Sequence, residues 1–203
     1  RWLLEIRDTG FMPEEEMARV TQEGGAPWDF ARDDQAYPLA RLLDVADLVG
    51  RPEAVSRQAD LLTDPVPFVR FWAAHGLAAA GEAARSVLPR LRKAVADGHA
   101  PTRIEAASAV LGIEENAEAI GALVAALESG EACALRAARA LELLGEKARP
   151  ALPAVREALS RKPSMYIGFA LTGLLSALGE KLPPARQGKA PKKGQQPAEQ
   201  EDQ

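Results

Sequence analysis

From Pro38 onward, apolar side chains recur every three or four positions, the spacing that lines one face of a helix. Leu39, Leu42, Leu43, Ala46 and Leu48 make the first such face, which ends at Gly50, and Pro52 opens a second helix over 52–62. Asp64-Pro65 supplies an N-cap and a favourable first position for the next helix, where Val66, Phe68, Val69, Trp72, Ala73 and Leu77 run up to Gly81. Its partner covers 82–96, with Val87, Leu88, Leu91 and Val95 turned inward. Further pairs follow at 101–111 with 116–127 and at 132–144 with 148–159, and a last helix at 164–178 has no full partner.

The helices repeat. Arg70, Arg103 and Arg136 fall at equal intervals of 33, and Leu88, Ile120 and Leu152 at equal intervals of 32. Self-similarity at such a period marks stacked supersecondary units. The closest internal match sets Gly81-Glu82-Ala83-Ala84-Arg85 beside Gly145-Glu146-Lys147-Ala148-Arg149, each followed by a Leu-Pro pair at Leu88-Pro89 and Leu152-Pro153. Pro89 and Pro153 are expected to kink their helices early, which would splay successive hairpins in a constant direction.

Composition narrows the picture to an all-α chain. Of 203 residues, 47% are hydrophobic but only 5% aromatic, and the abundance of Ala and Leu favours close-packed helices over sheets. The formal charge of −4 provides no basic field for a nucleic acid, so no nucleic-acid partner is expected. No apolar run approaches the ~18 residues of a membrane span. Cys133, the single cysteine, sits in an Ala/Leu helix and reads as a small buried hydrophobe.

These hairpins resemble HEAT repeats, and the resemblance implies a HEAT-like α-solenoid of antiparallel helical hairpins over 37–182. In that family an Asp at a turn and an Arg six residues later form a ladder between neighbouring repeats. The matching positions are Asp64 with Arg70 and Asp97 with Arg103; the third repeat keeps Arg136 but has Gly130 for the Asp, and the fourth has Pro163 and Phe169. A structural ladder of Asp64, Arg70, Asp97, Arg103 and Arg136 is favoured over an anion-binding stripe of the three arginines.

The ends differ from the array. Residues 183–203 contain no apolar side chain larger than Pro or Ala, which predicts a disordered tail. Residues 1–36 do not follow the repeat and are expected to gain order by packing against a neighbour. Within them, Arg7-Asp8-Thr9-Gly10-Phe11 and Pro13-Glu14 resemble the segment after the catalytic domain of bacterial sulfatases of the heparan N-sulfatase and arylsulfatase group. That resemblance implies a parent hydrolase of sulfate esters or N-sulfates, periplasmic or secreted, with a calcium ion in its own active site and this chain as a linker and C-terminal scaffold. Because the chain opens at Arg1 with no Met, a fragment of a longer protein is expected.

No catalytic, cofactor-binding or metal residue is expected in this chain. The catalytic cysteine of those sulfatases lies in C-x-P-S-R, whereas Cys133 is followed by Ala134-Leu135-Arg136. His75 and His99 stand 24 positions apart on different elements, and no C-x-x-C, H-E-x-x-H, calcium-loop or phosphate-loop pattern occurs. His75, between Ala74 and Gly76, reads as a structural histidine with its hydrogen bonds met. The expected partner is an upstream sulfatase-like domain or, for a free-standing HEAT-repeat adaptor, another protein.

Overall fold

The computed structural model describes residues 38–182, and all regular structure among them is helical. The linker expected over 1–36 and the tail expected over 183–203 lie outside the described residues. In chain order the α-helices are α1 (Leu39–Ala46), α2 (Val55–Leu61), α3 (Pro67–Ala80), α4 (Leu88–Ala94), α5 (Ala100–Ile113), α6 (Ala117–Ala126), α7 (Glu131–Leu144), α8 (Leu152–Ser160) and α9 (Met165–Ala177). Short 3-10 turns precede α2 (Pro52–Ala54), α4 (Gly81–Val87) and α8 (Gly145–Ala151).

Two layers result. The odd-numbered helices α1, α3, α5, α7 and α9 pack each on the next, while α2 lies on α3, α4 on α5, α6 between α5 and α7, and α8 on α9. The centre of the first layer is apolar on nearly every side. Ile104, Ala106, Ala107, Ala109, Val110 and Leu111 of α5 are buried almost completely, as a helix covered on all sides requires. Small residues let these helices approach closely. At Gly76 on α3, an added Cβ would stand 1.9 Å from Nε2 of the buried Gln58, whose amide donates to the Leu48 carbonyl at 2.9 Å.

Local chemistry sets the helix ends, and it moves two of the expected boundaries. Asp64 does not cap α3 directly: its Oδ1 accepts from the Val66 amide at 2.9 Å, an Asx-turn that places Pro67 at the helix start. The helix expected over 82–96 is divided, because Pro89 has no amide to donate and its ring would crowd the carbonyl one turn back. Gly81–Val87 therefore coils as a 3-10 turn and α4 begins at Leu88, with Pro89 in its first turn, where the missing amide costs nothing. The same solution recurs at Gly145–Ala151 and Leu152-Pro153, so both prolines start helices and neither kinks one. Both segments begin at a glycine of φ +54°, with ψ −125° at Gly81 and −121° at Gly145, a conformation that side-chain-bearing residues avoid.

Candidate functional site

Asp97 joins one helix pair to the next. Its Oδ1 accepts from the His99 amide at 2.8 Å, which turns the chain into α5, and both its oxygens receive Arg70 of α3, Nε at 2.7 Å and Nη2 at 2.9 Å. Arg70 also donates through Nη1 to the Asp64 carbonyl at 2.8 Å. Asp64 in turn gives its carboxylate to Arg41, so each acid meets an arginine of the preceding unit. Arg103 keeps the main-chain half of this arrangement, donating to the Asp97 carbonyl at 2.6 Å and the Gly98 carbonyl at 3.0 Å. In the next unit its carboxylate partner would fall at Gly130, which has none.

Burial by itself would raise the Asp97 carboxyl, but the Arg70 fork and the His99 amide outweigh it and hold the group below the ordinary carboxylate value. Beside it the His99 imidazole is pushed down to about 4. Burial is the chief cause; Asp97 opposes it, and Arg70, Arg103 and Arg136 add to it. His99 is also the residue before the first turn of α5, where the helix dipole disfavours a cation. Its Nδ1 lies 2.8 Å from Thr102 Oγ1, and its ring meets Phe68 edge-on at 5.6 Å.

Arg136 goes elsewhere. It donates through Nη1 to Glu105 Oε1 at 3.0 Å and stacks its guanidinium 4.8 Å from the Phe71 ring centre. The second Glu105 oxygen lies 3.0 Å from Nδ1 of the half-buried His75, whose ring stacks on Phe71 and meets Trp72 edge-on. Burial would raise the Glu105 carboxyl, and the contacts with His75 and Arg136 bring it below its usual value. Glu105, His75 and Arg136 thus form one charged cluster across α3, α5 and α7.

This cluster lies along a groove of about 840 Å³ that runs over α3, α5, α7 and α9. Ala78, Ala79, Gly112 and Ala140 keep it open, and at its α7–α9 end Leu143, Tyr166 and Phe169 are 70%, 64% and 64% exposed. Ser108, also in the groove, donates its hydroxyl to the Ile104 carbonyl of its own helix at 2.9 Å. Most ion pairs elsewhere sit on the surface, such as Arg85 with Glu82 and Arg92 with Glu114.

Of the five ladder residues marked in the sequence, the structure brings Arg70 and Asp97 together side chain to side chain, and Arg70 and Arg103 each to the backbone of the Asp six residues before. Arg136 stands apart from that series. Glu105 and Arg139 were not singled out: Glu105 lies 30 positions after His75 and 31 before Arg136, short of the repeat interval, and the packing of the helices brings it to both. Cys133, expected to be buried, is only partly so and packs at the start of α7. Among the described residues no group of three or more His, Cys, Asp or Glu could hold a metal ion, and no helix is long and apolar enough to cross a membrane.

No known protein-family model matches the chain, and no curated protein matches it in sequence.

Proposed function

We propose that this chain is a HEAT-type α-solenoid serving as a non-catalytic scaffold, the C-terminal part of a sulfatase-like hydrolase acting on sulfate esters or N-sulfates. The observation that carries the scaffold reading is the open groove. It combines exposed apolar side chains with ionisable groups that hold one another, since both Glu105 oxygens are taken up by His75 and Arg136. Such a surface suits contact with protein better than covalent chemistry, for which a free base beside a nucleophile is the usual requirement. The layered helices and the Arg70–Asp97 link between successive pairs support the solenoid.

The sulfatase-linked version rests on the resemblance of Arg7-Asp8-Thr9-Gly10-Phe11 and Pro13-Glu14, and any calcium would belong to the parent's catalytic domain. Its test is the coding sequence before Arg1. An in-frame domain bearing C-x-P-S-R or S-x-P-S-R supports it, and a start codon immediately before Arg1 favours instead a free-standing adaptor that binds another protein. For the scaffold itself, purified residues 1–203 are expected to be helical by circular dichroism and inert toward sulfate esters. Turnover by this chain would overturn that reading.

A further inference from the structure

We infer that the open side of α9, with Leu143 of α7 beside it, is the contact through which two copies of this chain pair about a two-fold axis. This goes beyond the scaffold reading and applies equally to its sulfatase-linked and free-standing forms.

The make-up of α9 is the first argument. Among the α-helices of the described residues, Met165–Ala177 is the one without a charged side chain. It is also the last member of the first layer, packed on α7 and α8. Ile167, Ala170, Leu171, Leu174 and Leu175 turn inward and are buried. On the opposite side, helical spacing sets Met165, Phe169, Thr172 and Ser176 in a line, with Tyr166 next to it. A helix that ends a layered array needs a polar outer face to stay soluble, and α1 has one at the other end in the exposed Arg41 and Asp44. In place of such a cap, α9 presents Met165, Tyr166 and Phe169, each more than half exposed, and Leu143 adds a fourth large side chain. A contiguous apolar patch of this kind marks a contact site.

Charge is the second. The groove that adjoins this face through Leu143, Tyr166 and Phe169 holds its arginines in pairs, Arg136 with Glu105 and Arg139 with Glu142, and so favours no charged ligand. A two-fold contact sets a surface against itself, which a net charge would oppose and an uncharged face bordered by paired ions permits. The face also leaves Thr172 no need of water, because its hydroxyl donates to the Gly168 carbonyl of the same helix at 2.7 Å. Size is the third. With whole aromatic side chains offering about 150–250 Å² each, four large side chains exposed to this degree present roughly 500 Å² per copy. Pairing then removes about 1,000 Å² from water in all, at the lower edge of specific interfaces and suited to a dimer that forms and dissociates. Residues 183–203 hold no apolar side chain larger than Pro or Ala, so they bring nothing comparable to the patch.

Sedimentation equilibrium on the full 203-residue chain tests this. A monomer–dimer equilibrium is expected, with a Kd of about 1–100 μM. Phe169→Asp and Met165→Glu should each weaken it at least about tenfold, because two-fold symmetry puts two unpaired carboxylates into one contact. Tyr166→Ser, which adds no charge, should weaken it less and serves in their place should either variant lose helicity by circular dichroism. Leu43→Asp, exposed on α1, should leave the equilibrium unchanged. Amide exchange should show α9 gaining protection over the monomer as concentration passes the Kd, with α3 unaltered. A chain still monomeric at about 500 μM would overturn the proposal. A dimer indifferent to the α9 substitutions would do the same, as would open-ended growth beyond two copies. Sulfate-ester turnover by the same sample would refute the scaffold reading while leaving the pairing untouched.

Discussion

At the junction between α3 and α5, one carboxylate holds both a turn and a neighbour. Asp97 fixes the entry into α5 through the His99 amide and receives the planar fork of Arg70 on its two oxygens, the geometry in which arginine and carboxylate bind most specifically. Both side chains are largely buried. Removing one charge leaves the other without compensation, so Asp97→Asn should lower stability by about 2 kcal/mol, read as a shift of the urea midpoint. Substitution at the exposed Glu82–Arg85 pair should leave the midpoint nearly unmoved, because solvent screens both partners. The neighbouring imidazole adds a pH dependence of known sign. His99 has its folded value near 4, below the ordinary 6.5, so between these values the unfolded chain binds the extra proton. Stability should fall as pH drops from about 6.5 toward 4, and His99→Gln should flatten the loss between pH 7 and pH 5 in denaturant titrations. Asp97 and Glu105, both held low, add their own loss at more acid pH, as each is protonated. Asp64 and Asp97 were visible in the sequence because an acid before a helix start has a local role. Glu105 was not, since a glutamate among Ile and Ala looks like any solvent-facing position until the next helix covers it.

The two Gly-Glu segments are the clearest repeated element. Each starts at a glycine of φ +54°, coils as a 3-10 turn and enters an α-helix through a Leu-Pro pair. Nothing lies within 4 Å of a Cβ added at Gly81, so any cost there is one of backbone conformation alone. Gly81→Ala should destabilise by about 1–3 kcal/mol. Gly121, in the interior of α6 and equally open, should respond with the opposite sign: Gly121→Ala is expected to stabilise by about 0.5–1 kcal/mol. Thermal denaturation of the two variants side by side checks both. The apolar spacing located every helix from 38 to 182 but joined the turn at 81–87 to the helix after it, because Val87 and Leu88 continue the apolar rhythm across a change of coil.

Across the whole molecule, cross-links are unevenly distributed. Units at the α1–α5 end are joined by Arg41 to Asp64 and Arg70 to Asp97, whereas the later positions hold Gly130 and Pro163, which offer no carboxylate. At the other end Glu180 binds Arg149 and Arg156, with these side chains substantially exposed to solvent. In a layered array whose members touch mainly their neighbours, local stability follows local contacts. Native-state hydrogen exchange should find α9 opening at lower free energy than α3 and α5. Equal protection of α9 and α5 would show that the missing carboxylates cost the array nothing.

Helical content, the place of each helix and the repeat of about 33 positions follow from the sequence, because helix formation answers to short-range rules of spacing, capping and proline placement. The groove does not follow from it. His75, Glu105, Arg136 and Phe169 belong to four different helices, and their proximity depends on how far small residues such as Gly76 and Ala107 let those helices approach. The direction taken by Arg136 likewise depended on the fold: on the periodic pattern it matches Arg70, but with no acid in the next unit to receive it, the guanidinium turns to Glu105 and the face of Phe71.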